Sequence, residues 1–209
     1  MDNKLRKISD LLAEIGMDEE IPSLYEIWLE SNRHYEKGDI KAAKLYQNLN
    51  LLLHNSSVPY TTKIGKNVKF AYEGIGLVLH YNSIIEDYAT IGSNVTLGGR
   101  GGSKASYTLS DGTKMRVPRI GKYTYLATGS KILGGIDIGA CSIVGANSVV
   151  LDHVPPCSVV AGVPARMITR IDETNIGKYK NNFTQFRKMS DIEISEKINF
   201  HKNERRGGW

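Results

Sequence analysis

His80 is the residue whose type and setting best suit chemistry in this 209-residue chain. It follows Leu79 directly, at a step that glycine fills elsewhere at Gly65, Gly92, Gly121, Gly139 and Gly145. Its imidazole should therefore project from a corner of the fold. An imidazole titrates close to neutrality and takes a proton from an attacking hydroxyl at physiological pH. Without neighbours to support it, a single histidine reads as a surface residue bonded to backbone. The stretch 98–119, within LGGRGGSKASYTLSDGTKMRVPR, supplies such neighbours. Its glycines can offer backbone N–H groups to a carbonyl or phosphate oxygen. Arg100, Lys104, Lys114, Arg116 and Arg119 add positive charge. GGRGG lacks the GxxxxGK pattern of a nucleotide-binding loop, so an exposed flexible loop is the bland alternative. A catalytic zinc site would take about three His ligands. Of the five histidines only His80 and His153 lie in the repeat described next, so no metal is expected.

These residues are positioned by a period of six. Val58, Ile64 and Phe70 open the register, which shifts by three in AYEGIGLV and resumes at Leu79, Ile85, Ile91 and Leu97. After the polar interruption it returns at Ile120, Leu126, Ile132, Ile138, Val144, Val150 and Pro156. Four positions after each register residue stands a small or β-branched one: Thr62, Val68, Ser83, Ala89, Thr124, Ser130, Ser142 and Ser148. Hexapeptide repeats read as a parallel β-helix, each short strand burying one apolar side chain in a narrow lumen and glycine turning the corner. Fourteen register positions give four to five triangular coils that stack as a solenoid and need capped ends.

Helices are expected before the repeat. Leu5, Ile8, Leu11, Leu12 and Ile15 share one helical face ending before Gly16, and a second helix runs from Pro22 through Leu24, Ile27 and Trp28 toward Tyr35, broken by Gly38. A third, over 40–54, puts Ala42, Leu45, Leu49, Leu52 and Leu53 on its inner face. His34 and His54 read as surface or helix-end residues. The organisation expected is a helical region 1–56, a β-helix domain 57–168 carrying the loop 98–119, and an extension 169–209 with a short helix near 191–200 and a mobile ERRGGW end.

Composition bounds the function. With 41% hydrophobic residues the chain supports one sizeable core. A net charge of +5 and a pI near 9.1 favour an anionic ligand, but the basic residues are dispersed and no aromatic platform accompanies them, which disfavours nucleic acid. Cys141 and Cys157 have no metal-ligand spacing and read as reduced packing residues. No apolar run resembles a signal peptide or a membrane span, so a cytoplasmic protein is expected.

The run ILGGIDIGACSIVGANSVVLDHVPPCSVVAGVPARMI resembles the closing coils of hexapeptide-repeat acyltransferases, especially the serine acetyltransferase group. LVLH, TIGSNVTLGG and RVPRIG fall in that group's order, and the resemblance covers about 58–168. It implies a left-handed β-helix, a homotrimer with sites between prisms, and acetyl-CoA as donor. Carried over by position, His80 is the general base; Gly99, Thr128, Gly129, Ala146 and Arg166 line the coenzyme; Arg116 meets the acceptor. The group's acidic residue before the catalytic histidine is Leu79 here, its second histidine is Val117, and the carboxylate that orients the base falls near Ser57 and Val58. A free ammonium group calls for a nearby carboxylate, so the expected acceptor is a sugar hydroxyl of a surface polysaccharide or its precursor. Serine acetylation and a non-catalytic trimeric binding module are the alternatives.

Overall fold

A computed structural model describes residues 6, 10, 13, 21–102, 106–109 and 112–202. The apolar face expected from Leu5 to Ile15, the Lys104 position and the ERRGGW end lie outside these. Arg6, Asp10 and Ala13 are helical and exposed.

Helix α1, Leu24–Glu36, begins where Ser23 and Glu26 form a capping box, so that two otherwise orphaned N–H groups are satisfied reciprocally. It buries Leu24, Ile27 and Trp28, as the spacing predicts. Gly38, at φ 81°, releases the chain into helix α2, Ile40–His54, which Asp39 caps through the Ala42 N–H. Here the expected inner face is wrong. Leu45 and Leu52 are 69% and 79% exposed, while Ala43, Asn50 and His54 face inward. Polar anchors set this rotation: Ser31 Oγ donates to Ala43 O at 2.7 Å, Asn50 Nδ2 to Leu24 O at 3.2 Å, and His54 Nε2 meets Pro22 O at 2.9 Å. A buried polar group must keep its partner, and three such bonds outweigh the preference of leucine for the interior. His54 is accordingly a buried anchor, contrary to the surface reading.

The repeat winds as a left-handed parallel β-helix with three faces. The first face pairs Lys63–Ile64, Ile84–Ile85, Arg119–Ile120 and Asp137–Ile138. The second stacks Lys69–Phe70, Thr90–Ile91, Tyr125–Leu126, Ile143–Val144 and Ser158–Gly162. The third carries Val78–Leu79, Thr96–Gly98, Lys131–Leu133 and Val149–Val150. Register residues stack on one another: Ile85 pairs with Ile64 and Ile120, and Ile132 with Leu97 and Val150. All are buried in the lumen except Ile64, which is half-buried. The small residues four positions on are buried as well, from Thr62 to Ser148. Leu24 and Trp28 of α1 join the same core beside Val58, Phe70 and Leu77, so the helix stoppers the first coil. The three-residue shift is a tight turn at Ala71–Gly74, with Tyr72 and Glu73 both in the left-handed region.

Glycine after the register residue serves a different purpose from the corner-turning expected of it. A Cβ on Gly121 would lie 2.6 Å from Ala140 N, and one on Gly92 2.6 Å from Thr128 N. Glycine is there because the next coil's backbone passes too close for a methyl group. The left-handed turns fall two residues later, at Asn67, Tyr88, Asn94, Tyr123, Cys141 and Asn147. Asparagine tolerates that region better than most side chains.

At the far end Ser158–Gly162 folds back on Ala165–Arg170 as an antiparallel hairpin. The following segment covers the outside of the second face, where Ile171, Ile176, Phe183, Phe186, Ile194 and Ile198 pack on Cys141, Ile143, Cys157 and Val159. The expected C-terminal helix spans Asp191–Lys202; Ile194, Ile198 and His201 are its buried residues and Ile192 and Phe200 are exposed.

Candidate active site

His80 ends the third-face strand Val78–Leu79 and stands at the corner leading to the first face. Its backbone is fixed on both sides: the N–H donates to Leu97 O at 2.8 Å, and its carbonyl accepts from Ser83 N, Ser83 Oγ and Thr62 Oγ1. The half-buried ring stacks on Tyr81 with centroids 4.2 Å apart, and Nδ1 accepts the Asn82 backbone N–H at 3.1 Å. Burial holds the imidazole below its ordinary pKa, and donation of an N–H to the ring favours the same neutral form. Among the described residues no carboxylate ion-pairs or hydrogen-bonds with the ring. Glu86, six residues along the chain, pairs instead with Arg119, whose Nε lies 3.0 Å from Glu86 Oε1, and accepts the Lys122 N–H. Asn82 acts through its backbone, and Glu73 sits exposed in the tight turn.

The corner of His80 recurs one coil on at Gly98 and Gly99, where the loop departs. Gly98 O accepts the N–H of Gly134 in the following coil, and a Cβ on Gly99 would meet nothing. Within the loop Tyr107–Thr108 pairs antiparallel with Lys114–Met115, closed by bonds from Leu109 N to Thr113 O and Gly112 N to Leu109 O. Tyr107 is buried, and desolvation followed by the nearby Asp137 carboxylate pushes its phenol far above the usual tyrosine range. The Tyr107 phenol thus lies within the electrostatic reach of Asp137, Arg119 and Glu86. Arg119 is committed to an internal ion pair and is not a free cation of the loop. Arg100, Lys114 and Arg116 remain exposed.

Of the expected coenzyme residues, Gly99 shares the corner of His80, whereas Thr128, Gly129 and Ala146 lie on another, between the second and third faces. Thr128 and Gly129 occupy it in one coil and Ala146 in the next; Asn147 N donates to Thr128 O at 3.0 Å and Gly129 N to Ser93 O at 2.9 Å. Thr128 and Ala146 are exposed and Gly129 takes φ 78°. Small side chains at this exposed corner put little in the way of a slender thiol arm. Arg166 is exposed on the terminal hairpin, its Nη1 bonded only to Ala165 O. Along the helix axis the residues form a staircase: Gly99, Thr128, Ala146 and the Arg166 hairpin stand successively further from His80. One chain does not bring His80 together with Thr128, because they occupy different corners.

His153 stands on the corner of His80 but three coils away, about 14 Å at a strand spacing of about 4.8 Å, too far for a shared metal. Among the described residues no group of three His, Cys, Asp or Glu side chains could hold a metal ion, and no helix is long and apolar enough to cross a membrane.

No protein-family model matches the chain. It is 34% identical over 157 residues to the serine acetyltransferase of Staphylococcus epidermidis, covering 74% of this chain and 68% of that protein. The Staphylococcus aureus serine acetyltransferase is 32% identical over the same shares. Among solved structures, the serine acetyltransferase of Brucella abortus in complex with coenzyme A matches with TM-score 0.62 and 31% identity, covering 70% of this chain and 54% of that one. A serine acetyltransferase from Vibrio cholerae matches with TM-score 0.61 and 30% identity, over 71% and 54% of the two chains. The chain thus spans about half the length of these solved proteins. With the repeat, the closing AGVPAR hairpin and this shared sequence in agreement, the chain belongs to the hexapeptide-repeat acyltransferases, within their serine acetyltransferase group.

Proposed function

We propose that the protein is an acetyl-CoA-dependent O-acetyltransferase working by direct transfer in a ternary complex. The staircase from Arg166 to His80 carries this reading. A cation at the end of the stack suits the coenzyme's phosphates, Ala146 and Thr128 leave room for the arm, and the thioester then arrives at the level of the glycine loop and the histidine. His80 takes the proton from the acceptor hydroxyl as that oxygen attacks the thioester carbonyl, and a backbone N–H of the glycine run steadies the developing negative charge. The carbon–sulfur bond breaks and the thiol leaves as free coenzyme A.

The two corners argue for a trimer. A site joining His80 and Gly99 to Thr128 and Ala146 takes the first corner from one copy and the second from its neighbour. Closing a ring this way turns the third face toward the axis, where half-exposed Val78 would be covered.

The acceptor has two readings. The named relatives favour serine, and by sequence likeness alone that reading is the better supported. The site's own residues favour a sugar hydroxyl: Leu79 and Val58 are buried in the lumen, Val117 is buried, and among the described residues no carboxylate pairs with the His80 ring to meet an ammonium group. On that chemistry we take the sugar hydroxyl as the acceptor. The deciding experiment offers acetyl-CoA with free serine or with a panel of sugars and nucleotide-sugars and measures released thiol. Sugar-dependent release is expected; robust release with serine alone makes the protein a serine acetyltransferase, and no release with any acceptor leaves a binding module.

A further inference from the structure

Helix α1 stands off the first face and leaves an open groove of 480 Å³ between them. Trp28, Asn32 and Glu36 form one wall, and Lys63, Ile84 and Asp87 the other. One end lies at the corner of His80: Thr62 lines the groove, and its Oγ1 donates to His80 O at 3.2 Å. Lys122 lines the other end and also lines a second groove of 480 Å³, which holds Tyr88, Tyr123, Lys197 and Phe200. The two grooves share Lys122, and end to end they run from the corner of the histidine across the first face to the corner with the second.

The lining is informative about a ligand. Two carboxylates along this track are matched, Glu86 by Arg119 and Asp87 by the Lys66 N–H at 2.9 Å with Lys122 Nζ at 3.9 Å, and Glu36 and Glu196 are balanced in number by Lys63 and Lys197. What remains is a track without strong net charge, rich in hydrogen-bonding groups, which disfavours a polyanion. At its far end Tyr88 and Tyr123 stack 5.0 Å apart within 5° of parallel, and Phe200 beside them is 67% exposed. Sugar rings offer this combination, with hydroxyls at their edges and apolar C–H faces that rest on aromatic rings. Each groove matches the size that holds a drug-sized ligand, about 300–1,000 Å³, and a free amino acid would fill a small part of either.

We propose that this track binds an oligosaccharide chain, with the hydroxyl to be acetylated at the His80 end and the following units laid over the first face onto Tyr88 and Phe200. The inference rests on the sugar reading of the acceptor. The test compares linear hexasaccharides of glucose, galactose, mannose and N-acetylglucosamine with the corresponding monosaccharides as acceptors, in the full-length protein and in Phe200→Ala and Tyr88→Asn. Asparagine is chosen because residue 88 sits at φ 63°. A KM at least tenfold lower for an accepted hexasaccharide than for its monosaccharide is expected. Both variants should erase most of that advantage while kcat and the KM for acetyl-CoA stay unchanged. Equal KM for long and short acceptors, or variants that keep the advantage, overturns the track while leaving the sugar reading intact. Transfer to serine with none to any sugar overturns both.

Discussion

The backbone N–H of Asn82 donates to Nδ1 of His80, and this bond fixes the ring's tautomer. A nitrogen that accepts cannot carry the proton, so in the neutral ring the proton sits on Nε2. For Nε2 to receive a proton from the acceptor, the ring must first pass to the other tautomer and release Asn82. Nitrogen-15 spectra should show a protonated Nε2 and a bare Nδ1 at rest, reversed in a complex with coenzyme and acceptor. An unchanged pattern in that complex would count against Nε2 as the base.

His80→Ala is expected to lower turnover by about 10²- to 10⁴-fold, the usual contribution of a positioned general base. Coenzyme affinity, measured by calorimetry, should barely change, because most of the coenzyme residues, Thr128, Gly129, Ala146 and Arg166, lie away from the corner of His80. Full turnover in the variant would remove histidine from the mechanism.

The pH profile follows from burial. The His80 pKa is lowered, so the ring stays in its basic form to below the ordinary value of about 6.5. The acid limb of kcat/KM should fall below that value, and an inflection above it would contradict the assignment. Stability has a matching sign. As pH drops through about 6.5 the unfolded chain takes up the proton first, so this group's contribution declines until the lower folded pKa is passed.

Gly121→Ala should destabilise the protein by about 1–3 kcal/mol, as overpacking does, because its new methyl group would lie 2.6 Å from Ala140 N. Gly99→Ala meets open space and should leave the denaturation midpoint unchanged while raising the KM for acetyl-CoA. Equal midpoints for all three proteins would refute the close-approach argument.

Glu86→Ala leaves the Arg119 guanidinium without its carboxylate in a site where the two side chains are only 15% and 22% exposed. A loss of about 1–3 kcal/mol is expected in chemical denaturation. Faster proteolysis within 98–119 should accompany it, since Tyr107 is buried within electrostatic reach of the same pair. Intact loop protection would separate the hairpin from the ion pair.

Cys141 and Cys157 are 0% and 1% exposed. Neither should react with a disulfide reagent in the native protein, so thiol released in the acetyl-transfer assay comes from the coenzyme alone. Rapid labelling before unfolding would show that the C-terminal segment does not hold over the second face.

The lumen was open to reading because a triangular coil leaves space for one side chain per face, so Leu97, Ile132 and Val150 could hardly be anything but apolar. Asparagine at 67, 94 and 147 marked the left-handed turns in plain view, yet glycine drew the inference toward the wrong position. The rotation of α2 was hidden, since spacing ranks leucine above Asn50 and cannot weigh a buried amide that has a carbonyl waiting for it. The His80 setting was half legible. The corner followed from Leu79, but the bond from Asn82 depends on a local turn that periodicity does not encode. Tyr107 looked like an ordinary loop residue because the charges that act on it, Arg119 and Asp137, come within reach only once the coils are wound.

The loop leaves at Gly98 and the repeat resumes at Arg119–Ile120 on the next coil of the first face, still paired with Ile84–Ile85 below. The scaffold therefore does not register how long the excursion is. Descendants of such a chain can lengthen, trim or replace this appendage without re-engineering the prism, and can change what they modify while inheriting the donor machinery unaltered.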